Sequence, residues 1–359
     1  MAKRLAPGAL PRLLGRGSAA RLALAMLAAG AVLLEVLLRT PPVRAHLPVP
    51  SLGTPYLYLD QVIARLDVFA DAGRVDCLFM GSCGMASDVD PAVFGAAYGH
   101  ETGRQIRCFN AGFPGLPAAA APTMARLLVA RYRPALLVYG TLPGDYTPDA
   151  AREFGSELDA APWVRYQLGQ PTVRGWLIDH SLAYRTILAL RDRLDPARRE
   201  ELRLEDTWPH TSDLGFLEQR VRMPHMIQPG SSEQMLQVFA GRDVAPEAIS
   251  GLSRVLALRG QGVQVLLVAL PTHPVLRKEV DGAAESVPAL VGRVRAQAGQ
   301  DGAPFWDAME TGVVPDEDWT DVVHMHLSGA ALFSDWLGAR VGRAVVQGEL
   351  ADPVGAQAR

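Results

Sequence analysis

Val75-Asp-Cys-Leu-Phe-Met-Gly-Ser-Cys-Gly84 is a short apolar run that stops on small residues. Apart from Asp76, residues 75–80 are apolar without alternation, so both faces of the segment need cover, as in the buried strands of a parallel sheet. Gly81 to Gly84 supply the tight backbone that a strand-to-helix turn requires. A nucleophile in such a turn gains from the positive end of the following helix. Glycine-rich turns also serve as plain connections, and nothing in this one alone separates the two roles.

The same strand-then-helix pattern recurs outward from this turn. Arg107–Asn110, Ala135–Tyr139, Val263–Leu270 and Ala303–Trp306 read as further strands. Leu57–Ala72, Ala118–Tyr132, Glu247–Arg259, Val287–Gln297 and Gly329–Val346 read as helices. Alternation of this kind predicts an α/β, flavodoxin-like parallel sheet of about five strands with helices on both faces. Such sheets place their sites beyond the carboxyl ends of the strands. The segments to inspect are therefore Gly81–Met85, Asn110–Gly115, Gly140–Asp145 and Pro271–Pro274. Residues 150–240 are less regular, carry Trp163, Trp176, Trp208, His210 and His225, and read as an insertion between the third and fourth strands.

Far along the chain, Asp321-Val-Val-His324-Met-His326-Leu-Ser-Gly329 stands directly before an amphipathic helix. An Asp three residues ahead of a His can orient the imidazole and stabilise its cation, and that His can then deprotonate a hydroxyl or thiol. Taken alone, Asp321 and His324 read first as polar loop residues or helix caps.

Read together and in order, these segments resemble the SGNH (GDSL-like) hydrolase superfamily, in particular its membrane-anchored bacterial branch, which includes proteins that handle O-acetyl groups on alginate and similar polysaccharides. The resemblance spans about residues 75–340. Val75–Cys83 is similar to the first block, and Asp88-Val-Asp-Pro-Ala-Val-Phe94 to the short segment after it. Asn110-Ala-Gly112-Phe-Pro-Gly115 is similar to the second block, whose glycine lends a backbone N–H to the oxyanion hole. Tyr139-Gly-Thr-Leu-Pro-Gly144-Asp145 is similar to the third. Val265–Pro271 resembles the strand-proline element, and Asp321-x-x-His324 the final block with the family's Asp and His. The resemblance implies an esterase or acyltransferase acting on acyl esters, with O-acetyl groups of a cell-envelope or exported glycan as the implied substrate class.

The chain departs from that pattern at informative places. The family's nucleophilic serine is replaced by Cys83, with Ser82 before it. Three readings stay open: Cys83 is a thiol nucleophile activated by His324; Ser82 serves after a one-residue shift of the turn; or the site is inactive and the fold is kept for binding a glycan or supporting an envelope assembly complex. The family's oxyanion asparagine is Gly144 here, and losing one oxyanion donor costs about 2.7–4 kcal/mol of transition-state stabilisation. Backbone N–H groups at Gly112 or Gly144 are the candidate substitutes, and Asp145 reads as a turn or cap residue. His326 forms an H-x-H pair with His324, but no clear third ligand accompanies it, so no metal is expected. His273, in Pro271-Thr-His-Pro274, is either a surface loop residue or a contact to substrate. The tryptophans of the insertion read as core residues, with a sugar-stacking platform as the alternative.

Leu22–Leu38 is an apolar run broken only by Glu35, near the lower limit of about 17 residues for a membrane span. Lys3, Arg4, Arg12, Arg16 and Arg21 precede it and Arg39 follows. This charge asymmetry predicts an uncleaved anchor with a cytoplasmic N-terminus and a periplasmic or extracellular domain. A cleaved signal peptide and a buried soluble helix are the alternatives. The expected organisation is a basic N-terminus (1–21), an anchor (22–39), a proline-rich linker (40–56), the α/β domain (57–347) and a disordered tail (348–359). A net charge of −3 over 359 residues points to no nucleic-acid partner. Three cysteines are too few for a disulfide scaffold, and Cys77 and Cys108 sit in apolar runs as small buried hydrophobes. No P-loop and no G-x-G-x-x-G occurs, so no cofactor is expected.

Overall fold

The structure is a computed structural model and describes residues 16–44, 46–146, 157–196, 198, 210–227, 244–276, 287–309 and 311–355. Lys3, Arg4, Arg12 and Trp208 lie outside the described residues. Five strands form one sheet: β1 (Cys77–Met80), β2 (Cys108–Asn110), β3 (Leu136–Thr141), β4 (Gln264–Ala269) and β5 (Phe305–Asp307). Their order is β2-β1-β3-β4-β5, and every pairing is parallel. This is the flavodoxin-like order, with the direction of winding reversing between β1 and β3.

The unbroken apolar strands follow from what covers them. Leu78 and Met80 of β1 face one core together with Phe109, Leu137, Val265 and Leu267. Cys77 and Phe79 face the other, with Cys108, Val138, Leu266 and Val268. The first core is closed by α3 (Leu57–Asp71), α6 (Ala121–Tyr132) and, farther along the chain, Pro246–Leu256. The second is closed by α5 (Pro91–Thr102) and the long helix Leu327–Val346. Cys77 and Cys108 stand opposite each other in register, buried and unoxidised.

α1 (Arg16–Leu38) is long and apolar enough to cross a membrane, and Leu24, Leu27, Val32 and Leu33 stand exposed along it. Glu35, near its end, docks on the domain. Its carboxylate accepts hydrogen bonds from Leu182 N (2.8 Å), Ala183 N (3.0 Å) and Ser181 Oγ (3.0 Å). The described part of the insertion contains α7 (Pro162–Gln167), α8 (Val173–His180) and α9 (Leu182–Leu194), so Glu35 meets the first N–H groups of α9, donors that a helix end leaves unpaired.

Two expected boundaries are corrected. In the stretch expected as a linker, Ser51, Leu52 and Thr54 are buried. Their extended backbone is satisfied by the Asp60 side chain, which accepts from Leu52 N (2.8 Å), Ser51 Oγ (3.0 Å) and Thr54 Oγ1 (2.8 Å). The expected tail is packed as far as residue 355. Ala351 exchanges two hydrogen bonds with the Gln264 side chain (2.7 and 2.9 Å), and Tyr98 Oη donates to Asp352 (3.0 Å). Composition alone made both stretches read as unstructured; partners distant in sequence hold them.

Candidate active site

β1 delivers the chain to Gly81, and α4 (Cys83–Asp88) begins two residues later. A Cβ at Gly81 would strike the Gly140 carbonyl oxygen and Met85, so only glycine lets β1 and β3 stay this close at the turn. Ser82 and Cys83 point to different surroundings. Ser82 is 3% exposed, and its buried hydroxyl lies near the Asp145 carboxyl without forming a hydrogen bond. Cys83 is partly exposed, and its thiol is the one that meets the His324 imidazole.

The His324 loop is built around Asp321. Oδ1 of this carboxylate accepts the N–H groups of Val323 and His324 (both 2.8 Å), and Oδ2 lies 2.7 Å from His324 Nδ1. One side chain therefore folds the turn and fixes the ring through Nδ1, which leaves Nε2 as the second ring nitrogen. Asp321 bonds His324, and Cys83, from a segment some 240 residues away, is a neighbour of the same imidazole.

Charge follows this geometry. Burial works against the His324 cation, but the neighbouring Cys83 and the hydrogen-bonded Asp321 carboxylate outweigh it and hold the imidazole well above its ordinary value. Asp321 is buried, which raises it, yet its bonds to His324 and the backbone bring it below the usual carboxylate range. The ring is thus set up to hold a proton beside the sulfur.

Asp88 completes the arrangement, although the sequence offered no sign of it beyond its place in a familiar segment. It is fully buried at the end of α4, and its Oδ1 accepts Met325 N at 2.9 Å, tying the helix that begins at Cys83 to the His324 loop. Burial pushes its carboxyl up to about 7, against the pull of the nearby His324. Only this long-range contact reveals the link.

The remaining candidates fall in other roles. Asn110 is buried and donates to the carbonyls of Met85 and Val89 (both 2.7 Å), while its Oδ1 accepts the Gly112 N–H (2.9 Å). The Gly112 N–H, expected to face an oxyanion, is bonded to Asn110 Oδ1 in this structure. Gly112 is needed because a Cβ there would collide with the Ala86 backbone. Asp145 accepts Leu142 N (2.8 Å), and burial pushes it up to about 7; Gly144 precedes it in the same short turn, Pro143–Tyr146. His273 is not a surface loop residue. It is 4% exposed, donates its N–H to Val322 O (2.9 Å), and packs edge-on against Trp319, beneath the His324 loop.

His326 caps α12 (Leu327–Val346), and its Nδ1 bonds Ser328 Oγ at 2.9 Å; no group of three metal-ligating side chains occurs among the described residues. Trp163 is buried, with Nε1 donating to Asp179 (3.1 Å). Trp176 is half-exposed and stacked on His180 at 5.0 Å.

Neither a protein-family model nor a curated protein matches the sequence. Among solved structures, the chain is similar to the lipase/acylhydrolase from Enterococcus faecalis, with a TM-score of 0.38 and 12% identity over 77% of this chain and 97% of that one. It is similar to TesA, with a TM-score of 0.36 and 13% identity over 74% and 99%. It is also similar to LAE5, an alpha/beta hydrolase enzyme from the metagenome of Lake Arreo, Spain, with a TM-score of 0.34 and 11% identity over 74% and 94%. Fold does not fix function, so the chemistry rests on the residues above.

Proposed function

We propose that this protein is an acyl-ester hydrolase or acyltransferase of the SGNH type whose nucleophile is a cysteine. The observation that carries the reading is the cluster Asp321–His324–Cys83 at the carboxyl edge of the sheet. In the first half-reaction Cys83 Sγ gives its proton to His324 Nε2 and adds to the carbonyl carbon of the ester. The carbon–oxygen bond to the alcohol then breaks, the alcohol oxygen takes the proton from Nε2, and the acyl group stays on sulfur as a thioester. Water in hydrolysis, or a hydroxyl of an acceptor in transfer, attacks that thioester. It passes its proton to Nε2, and the sulfur leaves and recovers it. Asp321 holds Nδ1–H throughout. The developing oxyanion falls to backbone N–H groups of the turn at Cys83 and Gly84.

The substrate class is an O-acyl ester, with O-acetyl groups of an exported or envelope glycan as the specific candidate. The anchored arrangement, with a cytoplasmic N-terminus, α1 in the bilayer and the domain outside, brings such a polymer within reach. A second reading, a non-catalytic protein of this fold that binds glycan or supports an envelope complex, is favoured by one observation: the Gly112 N–H is bonded to Asn110 rather than free for an oxyanion.

The test is turnover of p-nitrophenyl acetate, and then of an O-acetylated polysaccharide, by the detergent-solubilised full chain. Cys83→Ala is expected to abolish turnover and Ser82→Ala to retain most of it. Equal rates for the wild type and both variants would reject catalysis at this turn and leave the binding reading.

A further inference from the structure

Apart from the Asp321–His324–Cys83 cluster, the residues that join α1 to the domain line a partly open cavity of about 560 Å3. Its walls are largely apolar: Val49 from the segment after α1, Val68 and Phe69 of α3, and Leu182 at the start of α9. Arg44, Arg65 and Asp213 also line it, which leaves the lining net positive, and Arg65 Nη1 touches Gln61 Oε1 at 3.5 Å. An apolar space of roughly 300–1,000 Å3 with a few charged groups is the usual form of a small-ligand site.

What marks the occupant is position. Leu182, a wall of the cavity, gives its N–H to Glu35 in the last turns of α1. The same carboxylate binds Ala183 N and Ser181 Oγ, and Arg39 Nη2 reaches the His180 carbonyl (3.3 Å). The cavity is thus fastened to the end of the one described helix apolar enough to span a bilayer. Guanidinium groups engage phosphate through paired N–H donors, and arginines beside a membrane favour anionic headgroups.

We propose that this cavity takes an acyl chain of an anionic phospholipid from the bilayer that holds α1, with the phosphate bound by Arg44 and Arg65. The proposal rests on the reading of α1 as a membrane span. A bound lipid would fix the height of the domain above the membrane, because the cavity joins α3, α9 and the foot of α1.

The experiment uses the full chain in vesicles of phosphatidylcholine carrying a trace of phosphatidylglycerol, or of phosphatidylcholine, with a photoactivatable acyl chain. Adducts are mapped by peptide mass spectrometry. Expected are adducts on residues 47–50 and 61–72 in addition to those on α1. Ala64→Phe, and independently Val68→Trp at a half-exposed position, should lower the domain adducts roughly tenfold and leave those on α1 unchanged. Arg44→Gln with Arg65→Gln should remove the excess of phosphatidylglycerol labelling over phosphatidylcholine labelling. Adducts confined to α1, insensitivity to both filling variants, or equal labelling by the two lipids in the wild type would overturn the proposal while the anchor stands. Domain adducts without any on α1 would overturn the bilayer source, and absence of both would sink the anchor as well.

Discussion

Asp88 shows how a single buried carboxyl can tie two distant segments of a candidate site together. It accepts Met325 N at 2.9 Å and so fixes the His324 loop relative to Cys83. Asp88→Ala is expected to cost about 1–3 kcal/mol of stability, as a buried N–H loses its acceptor, and to slow alkylation of Cys83 by iodoacetamide. Asp88→Asn keeps an acceptor oxygen and is expected to restore both; a stable Asp88→Ala with wild-type alkylation would remove Asp88 from the account. The sequence made Asp321, His324 and the Cys83 turn legible because their residue types and places in two short segments carry chemistry. It made Gly112 look like an oxyanion donor because the competing acceptor, Asn110 Oδ1, is a matter of side-chain direction. Sequence placed Cys83 at the family's serine position and Ser82 one residue before it; neighbours in the chain, they have different surroundings, Asp145 near Ser82 and His324 near Cys83.

α3 and the segment before it illustrate structure made by one buried acid. Ser51 Oγ lies 3.0 Å from Asp60 Oδ2 and 2.9 Å from Asp192 Oδ2, and one hydroxyl proton cannot serve both, which a proton on Asp60 resolves. Burial pushes Asp60 up to about 7, only partly offset by Thr54, Leu52 and Ser51, and Asp88 and Asp145 are raised similarly. The sign follows from linkage. Carboxyls raised in the folded state bind protons that the unfolded chain releases near pH 4. Their stabilisation is present below that and is lost as the pH rises through about 7. The thermal midpoint is expected to fall between pH 5 and 8, and Asp60→Asn to flatten that fall; a midpoint that rises over this window would contradict it. The strands and long helices were readable because their apolar patterns are local. The segment 48–56 was not, since its order comes from Asp60 and Asp192, the latter on the distant α9. Glu35 is the parallel case: awkward inside an apolar run, it caps α9. Glu35→Gln is expected to raise amide hydrogen exchange at Leu182 and Ala183 about five- to tenfold, the scale of a lost cap; unchanged exchange would detach α1 from the domain.

In the molecule as a whole, an apolar helix, a clamp at its foot and a five-stranded sheet set a thiol at the sheet's carboxyl edge. The fold class was legible from alternation alone, and the ordered motifs pointed to residues 83 and 324 as one candidate site. The path of the insertion was not, because its helices pack through Glu35, Asp179 and Asp192 rather than through a repeating pattern. The central claim, that Cys83 is an acyl-carrying nucleophile worked by His324, is tested most directly by rapid mixing of the full chain with p-nitrophenyl acetate, acid quenching and peptide mass spectrometry. The prediction is a transient acetyl thioester on the peptide containing Cys83, absent in Cys83→Ala and reduced at least roughly a hundredfold in formation rate in His324→Ala. A label that settles on Ser82, or one on Cys83 that forms as fast without His324, would contradict it.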